Sequence, residues 1–381
     1  MPFFCTRPHR FFYCFSTAVA TVLVLAGGTA RAQVKPGSPP VYPPPAPLAT
    51  DTLLDNQVGQ AQKFAVPSVV GMGPSKGVVA NIESLGNFRI TTRLQDEGDR
   101  ETSTTVTKNR RAFIKGYIPV WNRPHLKVIL GFNYDREEFQ FREPGNAVFY
   151  RDLEDKGLKT LGTQLAVIRP VDEVHWYLAR VKAELNGDYT SSELSVKDYL
   201  RTSGEFIYGW KRSPYFSWGV GAQLSYTFGR QSVYPVILYN RTFNPRWGVE
   251  ALFPARVSLR RNINPKTLLY GGYTVDGANY NIKLREPLGE LRTLIVRERE
   301  VKFRLRAERE IYDFLWFGLE GGYRYNAGFS AFNEDNYRRS LLGILSGGRT
   351  RAVDNTLGGA PYLSVEVFLV PPRKMLNKLA R

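Results

Sequence analysis

Charged residues recur at every second position in parts of this 381-residue chain. Between Val301 and Glu308, apolar residues alternate with Lys302, Arg304 and Arg306. A two-residue period places the charges on one face of a β-strand and the apolar residues on the other face. In a pore, inward-facing Arg and Lys set a positive potential that favours the passage of anions.

The same alternation assigns ten charged residues to the interior of a barrel. These candidate lumen-lining residues are Arg111, Lys115, Arg180, Lys182, Lys302, Arg304, Arg306, Glu308, Glu320 and Arg324. Arg89 and Arg93 fall on the inner face by the same count. Because cations outnumber acids in this set, an open lumen is predicted to prefer anions. Alternatively, charges on neighbouring strands pair with one another and fill the lumen.

Histidine, the side chain best suited to general base chemistry near neutral pH, is scarce in this chain. After residue 32 only His125 and His175 remain, and both flank predicted turns on the periplasmic side. The sites of barrel hydrolases lie near the outer leaflet instead, so no catalytic residue is predicted. Without a histidine cluster or a cysteine in this region, the sequence predicts no metal site and no cofactor.

β-Strands must position these residues. Residues 216–228 alternate apolar and small or polar side chains without a break. From Gly86 onward, about fourteen such segments have the length and alternation of outer-membrane strands. If the hairpin at residues 253–255 is a bulge, the count is twelve. The predicted fold class is all-β, an antiparallel up-and-down transmembrane β-barrel.

Short connections alternate with mostly longer ones, such as 142–157, 285–292 and 327–360. Short periplasmic turns and long external loops are typical of outer-membrane barrels. The six tryptophans all lie close to predicted periplasmic turns. They are predicted to form an interfacial aromatic girdle made of Trp121, Trp176, Trp210, Trp218, Trp247 and Trp316.

The N-terminus has the features of a cleaved signal peptide over residues 1–32. Arg7 and Arg10 precede an uncharged run, and residues 30–32 fit a small-x-small cleavage site. An uncleaved membrane anchor is the alternative, because the run has about the ~20 residues that a spanning helix needs. Both cysteines, Cys5 and Cys14, lie within this segment.

Three further regions follow the signal. Residues 33–80 are predicted to be a proline-rich periplasmic linker whose later part is a plug, a strap or a disordered segment. Residues 81–370 form the barrel, and residues 371–381 form a basic tail. The formal net charge of +17 is spread along the strands without a recognisable nucleic-acid motif, so no nucleic-acid partner is predicted.

Several short motifs resemble a family of Gram-negative outer-membrane β-barrel proteins described as a domain of unknown function. The motifs are Trp247-Gly248-Val249-Glu250-Ala251-Leu252-Phe253-Pro254, Leu268-Leu269-Tyr270-Gly271-Gly272-Tyr273, Asn279-Tyr280-Asn281-Ile282 and Tyr117-Ile118-Pro119-Val120. The resemblance covers roughly residues 80–370. It implies a barrel in a Gram-negative envelope, and it assigns neither an activity nor functional residues. The chain departs from a common barrel ending because Phe368 is followed by a basic tail.

The sequence therefore predicts an exported, non-enzymatic barrel in the outer membrane of a Gram-negative bacterium. Its predicted partners are outer-membrane lipid, lipopolysaccharide, the barrel-assembly machinery and small solutes. It acts as a passive channel, anion-preferring if open, or as a structural envelope component. The alternatives are a transporter of hydrophobic small molecules with residues 48–80 as a hatch, an outer-membrane enzyme and a soluble periplasmic β-sandwich.

Overall fold

The computed structural model describes residues 64–94, 101–143, 148–190, 195–288, 291–333 and 351–371. They belong to one compact unit that spans Asp51–Arg381. The predicted signal peptide, the linker up to residue 63 and the tail from residue 372 lie outside the described residues. Among the described residues, no helix combines the length and apolar character needed to cross a membrane.

The strands form one 16-stranded sheet. Their bounds are β1 Val78–Leu85, β2 Phe88–Leu94, β3 Glu101–Arg123, β4 Leu126–Phe141, β5 Leu158–Pro170, β6 His175–Gly187, β7 Leu200–Ser213, β8 Phe216–Ser225, β9 Ser232–Thr242, β10 Trp247–Phe253, β11 Arg256–Asn264, β12 Thr267–Leu288, β13 Leu291–Tyr312, β14 Leu315–Asn333, β15 Arg351–Leu357 and β16 Ala360–Leu369. Two helices are described, α1 Val148–Lys156 and α2 Val196–Tyr199.

The first and last strands of the barrel are each interrupted. β1 pairs with both β16 and β3, while β2 pairs with β3 and β15, so β1 and β2 are two halves of one barrel strand. β15 and β16 likewise both pair with β14. The sheet therefore closes into an antiparallel barrel of 14 strands, which confirms the predicted fold class. Residues 253–255 form a true hairpin between β10 and β11, which rules out the twelve-stranded alternative.

The interruption at Gly86 shifts the alternation by one residue. In β1 the side chain of Glu83 is buried inside, whereas Ile82 is exposed outside. In β2 the even-numbered Phe88 is the buried residue, and Arg89 and Arg93 are exposed. The prediction that Arg89 and Arg93 face the lumen is therefore wrong. One extra residue at the break between β1 and β2 moves the following side chains of that strand to the opposite face.

The outer face of the barrel is apolar. Leu305 is 75% exposed, and Ile82, Val181 and Phe303 are also largely exposed on the outside. The charged residues that alternate with these apolar residues along the strands point inward. A soluble sandwich would show the reverse arrangement, whereas apolar-out and polar-in is the pattern of a barrel in lipid.

The two ends of the barrel differ. At one end, which we call the turn end, β3 to β14 are joined in pairs by short connections at 124–125, 171–174, 214–215, 243–246, 265–266 and 313–314. The opposite end, the loop end, carries the longest connections, 142–157, 188–199 and 334–350, although β10–β11 and β12–β13 are joined there by only two residues each. Strands extend further toward the loop end than predicted. The segment 285–292 was expected to be a loop, but β12 reaches Leu288 and β13 begins at Leu291.

An apolar cluster fills the loop end of the barrel. Helix α1 contributes Phe149, Tyr150 and Leu153, which are at most 3% exposed and pack against the inner faces of β2, β3, β4 and β12 to β15. Tyr150 Oη also hydrogen bonds to Thr92 Oγ1. We call this cluster with α1 the apolar lid. Helix α1 lies within the predicted loop 142–157. Its position inside the barrel depends on packing against distant strands, which the local sequence pattern does not show.

The lipid face gives a direct test of this orientation. We expect Leu305→Arg to reduce the free energy of unfolding by about 2–4 kcal/mol, because it places a charge in the hydrocarbon region. The control Gln223→Arg adds the same charge on the inward face and should be better tolerated. Urea unfolding of the barrel in lipid vesicles measures both. Equal losses would contradict the assignment of faces.

Candidate functional site: the barrel lumen

The lumen contains a chamber of about 420 Å³. It lies between β1, β3 to β8, β12 and β13, below the apolar lid. Tyr226 and Thr227, from the connection after β8, also line it. Its wall carries the carboxylates Glu83, Asp135, Glu137, Glu184, Glu205, Asp276, Glu298 and Glu300 and the cations Arg111, Lys115, Arg180, Lys182 and Lys302.

Arg111 is the centre of the ion pairs around the chamber. Its Nε lies 2.9 Å from Glu137, its Nη2 lies 2.6 Å from Glu298 and its Nη1 lies 2.5 Å from Glu300. Glu300 also lies 3.3 Å from Lys302, whose Nζ donates to Glu83 at 2.7 Å. These contacts join β1, β3, β4 and β13 across the lumen, not only along the wall.

A second network lies between β13, β14 and β16. Arg306 Nε donates to Glu308 at 2.8 Å, and Arg306 also pairs with Glu320 and Glu366. Arg304 Nη1 lies 3.0 Å from Glu320. The Arg306 guanidinium is therefore shared among three carboxylates, two of them on neighbouring strands, which is the filled-lumen arrangement that the sequence left open.

The remaining predicted lumen cations also have carboxylate partners. Arg180 pairs with Glu205 at 3.0 Å, Lys182 with Glu184 at 2.6 Å and Lys115 with Asp135 at 3.5 Å. Arg324 is fully buried, with its guanidinium 4.4 Å from the centre of the Phe88 ring and 3.8 Å from Glu300. The structure thus places all ten predicted lumen residues inside the barrel, and it pairs every cation among them.

The charge balance differs from the sequence expectation. Around the chamber, carboxylates outnumber cations, so the expected surplus of positive charge is reversed there. Glu298 and Glu300 share the phase of the predicted inward residues Lys302, Arg304 and Arg306 on β13, and the same alternation could have found them. Glu83 could not be found in this way, because β1 precedes the first predicted strand and has the opposite phase to β2.

Residues 64–77 form an N-terminal strap along the inside of the turn end. Its Ala65 N donates to Asp172 O at 3.0 Å, and its Val70 N donates to Pro214 O at 3.0 Å. Asn240 Nδ2, Lys211 Nζ and Asn262 Nδ2 donate to the carbonyl oxygens of Pro67, Ser68 and Gly71 at 2.9, 2.5 and 3.2 Å. The strap therefore follows the rim from the β5–β6 turn to β11 before it reaches β1.

The strap also joins the second ion-pair network. Lys76 Nζ lies 2.8 Å from Glu308 and 2.6 Å from Glu366. Ala65 packs in an apolar cluster with Trp176 and Ile207 inside the barrel. The expectation of a plug or hatch in residues 48–80 thus corresponds to an ordered segment from residue 64. Residues 48–63 lie outside the described residues.

Only part of the predicted tryptophan girdle faces outward. Trp121 and Trp247 are exposed on the outside near the turn end, and Trp210 stacks on Trp218 at 4.5 Å between ring centres on the same face. Trp176 and Trp316 instead point inward and are 0% and 3% exposed. Trp176 Nε1 donates to Ser217 Oγ, and Trp316 stacks on Phe368. Proximity to a turn therefore does not decide whether a tryptophan faces outward or inward. The position of the residue in the alternation of its strand decides this.

The two histidines lie at the turn end, as predicted. His125 is exposed, and His175 Nδ1 lies 2.7 Å from Asp172 Oδ2. Asp172 Oδ1 accepts the backbone N–H groups of Val174 and His175, so the pair caps the β5–β6 turn. Among the described residues, no group of three or more His, Cys, Asp or Glu side chains could hold a metal ion.

Residues 139–336 match the family described as "Domain of unknown function (DUF6268)". The match runs from the end of β4 past the end of β14 and covers just over half of the chain. The chain belongs to this family. Membership in DUF6268 confirms the resemblance found in the sequence motifs and assigns no activity. No curated protein matches the chain.

Solved outer-membrane barrels are similar to this DUF6268 protein in fold. An outer membrane channel from Pseudomonas putida F1 has 9% identity and a TM-score of 0.35, with 83% of this chain and 100% of that chain covered. A Pseudomonas aeruginosa FadL homologue has 11% identity and a TM-score of 0.30, with 77% and 90% covered. Outer membrane phospholipase A from Escherichia coli has 10% identity and a TM-score of 0.27, with 74% and 89% covered. These similarities are too low to support a functional inference.

Removal of the Arg111 guanidinium should destabilise the folded barrel. We expect Arg111→Met to reduce the free energy of unfolding by about 3–5 kcal/mol, because it leaves several buried carboxylates without their shared partner. The neighbouring Arg110 is exposed, so Arg110→Met should change the free energy of unfolding by less than about 1 kcal/mol. Urea titration of vesicle-embedded protein compares the two variants. Similar losses in both would contradict the central role of Arg111.

The Asp172 cap predicts a pH-dependent turn. Hydrogen bonds from the His175 backbone, the His175 ring and the Val174 backbone lower the pKa of Asp172 from 3.8 to about 2. A lowered pKa means that the carboxylate stabilises the turn above pH 3.8 and loses this contribution as the pH falls through about 2. Carboxyl chemical shifts should titrate at this low midpoint. A midpoint near 4, or unchanged Val174 amide exchange in Asp172→Asn relative to Glu173→Gln, would contradict the cap.

Proposed function

We propose that this protein is a gated passive transport barrel for small polar solutes in the outer membrane, with its turn end in the periplasm. The observation that carries the proposal is the chamber of about 420 Å³ in the middle of the lumen. A barrel that served only as a scaffold would not require an internal volume large enough for a small organic molecule.

The lining of the chamber favours a particular kind of solute. Carboxylates and cations alternate around the wall, and Asp276 faces the chamber with an exposed side chain. Mixed charges of this kind suit solutes that carry both an amine and an acidic or hydroxyl group. An excess of carboxylates disfavours a purely anionic solute, and the charged wall disfavours a hydrophobic one. The proposed transport of small polar solutes thus replaces two functions suggested by the sequence: an anion-preferring channel and a transporter of hydrophobic small molecules.

Closure at both ends supports gating. The apolar lid occupies the loop end, and the strap lies along the turn end. The strap is held largely by side-chain hydrogen bonds to its carbonyl oxygens and by the Lys76 ion pairs, which can break without disturbing the sheet. Opening at the turn end therefore requires release of these polar contacts and of the packing of Ala65 against Trp176 and Ile207. Opening at the loop end requires movement of α1 or of nearby loops.

A structural envelope role is the second candidate. The two ion-pair networks and the apolar lid favour it, because they fill much of the lumen and cross-link distant strands. We also propose that the protein is not an enzyme. Asp172 engages His175 as a turn cap, and this geometry accounts for the only histidine with an ordered acidic partner in the described part of the chain.

Release of the strap tests the transport role. The double variant Lys76→Ala, Asn240→Ala removes two strap anchors, and Arg306 still pairs with both Glu308 and Glu366. We expect a higher rate of solute entry into proteoliposomes than in the unmodified protein. The matched control Lys266→Ala, Asn122→Ala removes one lysine and one asparagine from the same end without touching the strap.

The outcomes separate the candidate functions. If the strap variant conducts, planar-bilayer recordings under a salt gradient should give a reversal potential that is near zero or weakly cation-selective. A strongly anion-selective sign would instead support the original sequence prediction. If neither the unmodified nor the strap variant conducts while both migrate as folded barrels, the structural role is supported and the transport proposal fails.

A further inference from the structure

An arginine occurs near the end of every strand that runs toward the turn end between β3 and β13. These strands are β3, β5, β7, β9, β11 and β13, and each places the arginine within its last four residues. The six residues, which we call the arginine belt, are Arg123, Arg169, Arg212, Arg241, Arg261 and Arg309. All six are exposed. Alternate strands are about 10 Å apart, so the belt is evenly distributed along this part of the rim.

The pairing register places the belt on the lipid-facing side. Arg169 pairs with Tyr177, and Arg261 pairs with Trp247, both outward-facing residues. Arg309 lies between the inward-facing Glu308 and Glu310 in sequence, and so it points outward. The belt is therefore separate from the lumen and from its ion pairs.

Aromatic side chains accompany several of these guanidinium groups. Arg241 Cζ lies 5.5 Å from the Phe216 ring centre and 5.4 Å from that of Phe243. Arg261 Cζ lies 5.1 Å from the Trp247 ring centre. An exposed guanidinium that stacks on an interfacial aromatic ring keeps its charge at the headgroup level while its methylene chain lies against apolar surface.

Exposed arginines toward the loop end are of two kinds: some have a carboxylate partner, and others, such as Arg89 and Arg110, form no ion pair within the described residues. Toward the loop end, Arg93 pairs with Glu101 at 3.2 Å, and Arg136 pairs with Glu138 at 2.8 Å. Within the described ranges, no member of the arginine belt forms an ion pair with a carboxylate. Arg169 Nη1 and Arg241 Nη1 each donate to a tyrosine hydroxyl at 3.5 Å, and the other N–H groups of these guanidiniums remain available to a partner outside the chain.

We propose that the arginine belt binds the phosphate groups of anionic phospholipids in the leaflet at the turn end. A guanidinium donates two parallel hydrogen bonds to a phosphate, so arginine suits this ligand better than lysine does. The aromatic neighbours fix the depth of the belt at the interface where phosphates lie. Each cation near an anionic membrane surface strengthens binding roughly fivefold, so several together give a stable lipid annulus.

The test compares two quadruple variants of the full-length protein in detergent. The belt variant is Arg169→Gln, Arg241→Gln, Arg261→Gln, Arg309→Gln. The matched control, Arg89→Gln, Arg110→Gln, Arg136→Gln, Arg151→Gln, removes the same charge from exposed residues nearer the loop end. Native mass spectrometry titrations with phosphatidylglycerol, phosphatidylethanolamine and lipopolysaccharide measure lipid binding, and heat-modifiable gel migration confirms folding.

We expect the belt variant to bind phosphatidylglycerol more weakly by on the order of tenfold or more, with a smaller loss for phosphatidylethanolamine, whose ammonium group offsets the phosphate charge. The control should retain phosphatidylglycerol binding. Equal losses in both variants would attribute binding to net charge and overturn the proposal. A selective loss of lipopolysaccharide binding in the belt variant would overturn the assignment to phospholipid.

A conservative variant keeps the proposal testable if the glutamine variant does not fold. Replacement of the same four residues by lysine preserves the charge and removes the two-pronged donor geometry. We expect phosphatidylglycerol binding between that of the unmodified protein and that of the glutamine variant. Unchanged binding would show that charge alone is sufficient and would contradict specific phosphate recognition.

Discussion

The compensation of inward-facing charge is the constraint on which the rest of this barrel depends. Because the outer face must be apolar, the sequence directs its charged side chains into the lumen, where several of them are buried. Unpaired charges there would be costly, and breaking one partner of a buried pair typically costs several kcal/mol. Arg111 meets this constraint by contacting carboxylates on β4 and β13, and Arg306 does the same with carboxylates on β14 and β16. The lumen is therefore organised by shared guanidinium groups.

The same constraint explains why the chamber lies where it does. On β6 and β7, pairs such as Arg180 with Glu205 and Lys182 with Glu184 lie along the wall and leave space in front of them. The Arg111 network instead crosses the lumen from β3 to β13 and occupies space there. The internal volume is thus what remains between short-range pairs on one wall and long-range pairs on the other.

The sequence predicted the strands well, because outward apolar residues such as Leu305 alternate strictly with inward charges over long segments. It also located the hairpin at Pro254. It failed where alternation is interrupted, since Gly86 shifts the phase and sends Arg89 to the outside. The inward orientation of Trp176 was missed because proximity to a turn carries no information about the face. The apolar lid depends on contacts between α1 and distant strands, which no local period encodes.

The interrupted strands divide the contact between the first and last barrel strands, which we call the seam, into two halves. β1 and β16 share eight residue pairs from Val78 with Leu369 to Leu85 with Tyr362, and β2 and β15 share five pairs beyond the breaks. Joining the two ends of the chain is the contact of greatest sequence separation in the fold, and such contacts form slowly. The seam is continuous across the breaks, because Gly86 N donates to Pro361 O and Gly358 N donates to Arg89 O, both at 2.8 Å. The breaks therefore change which side chains face the lumen and leave the barrel closed.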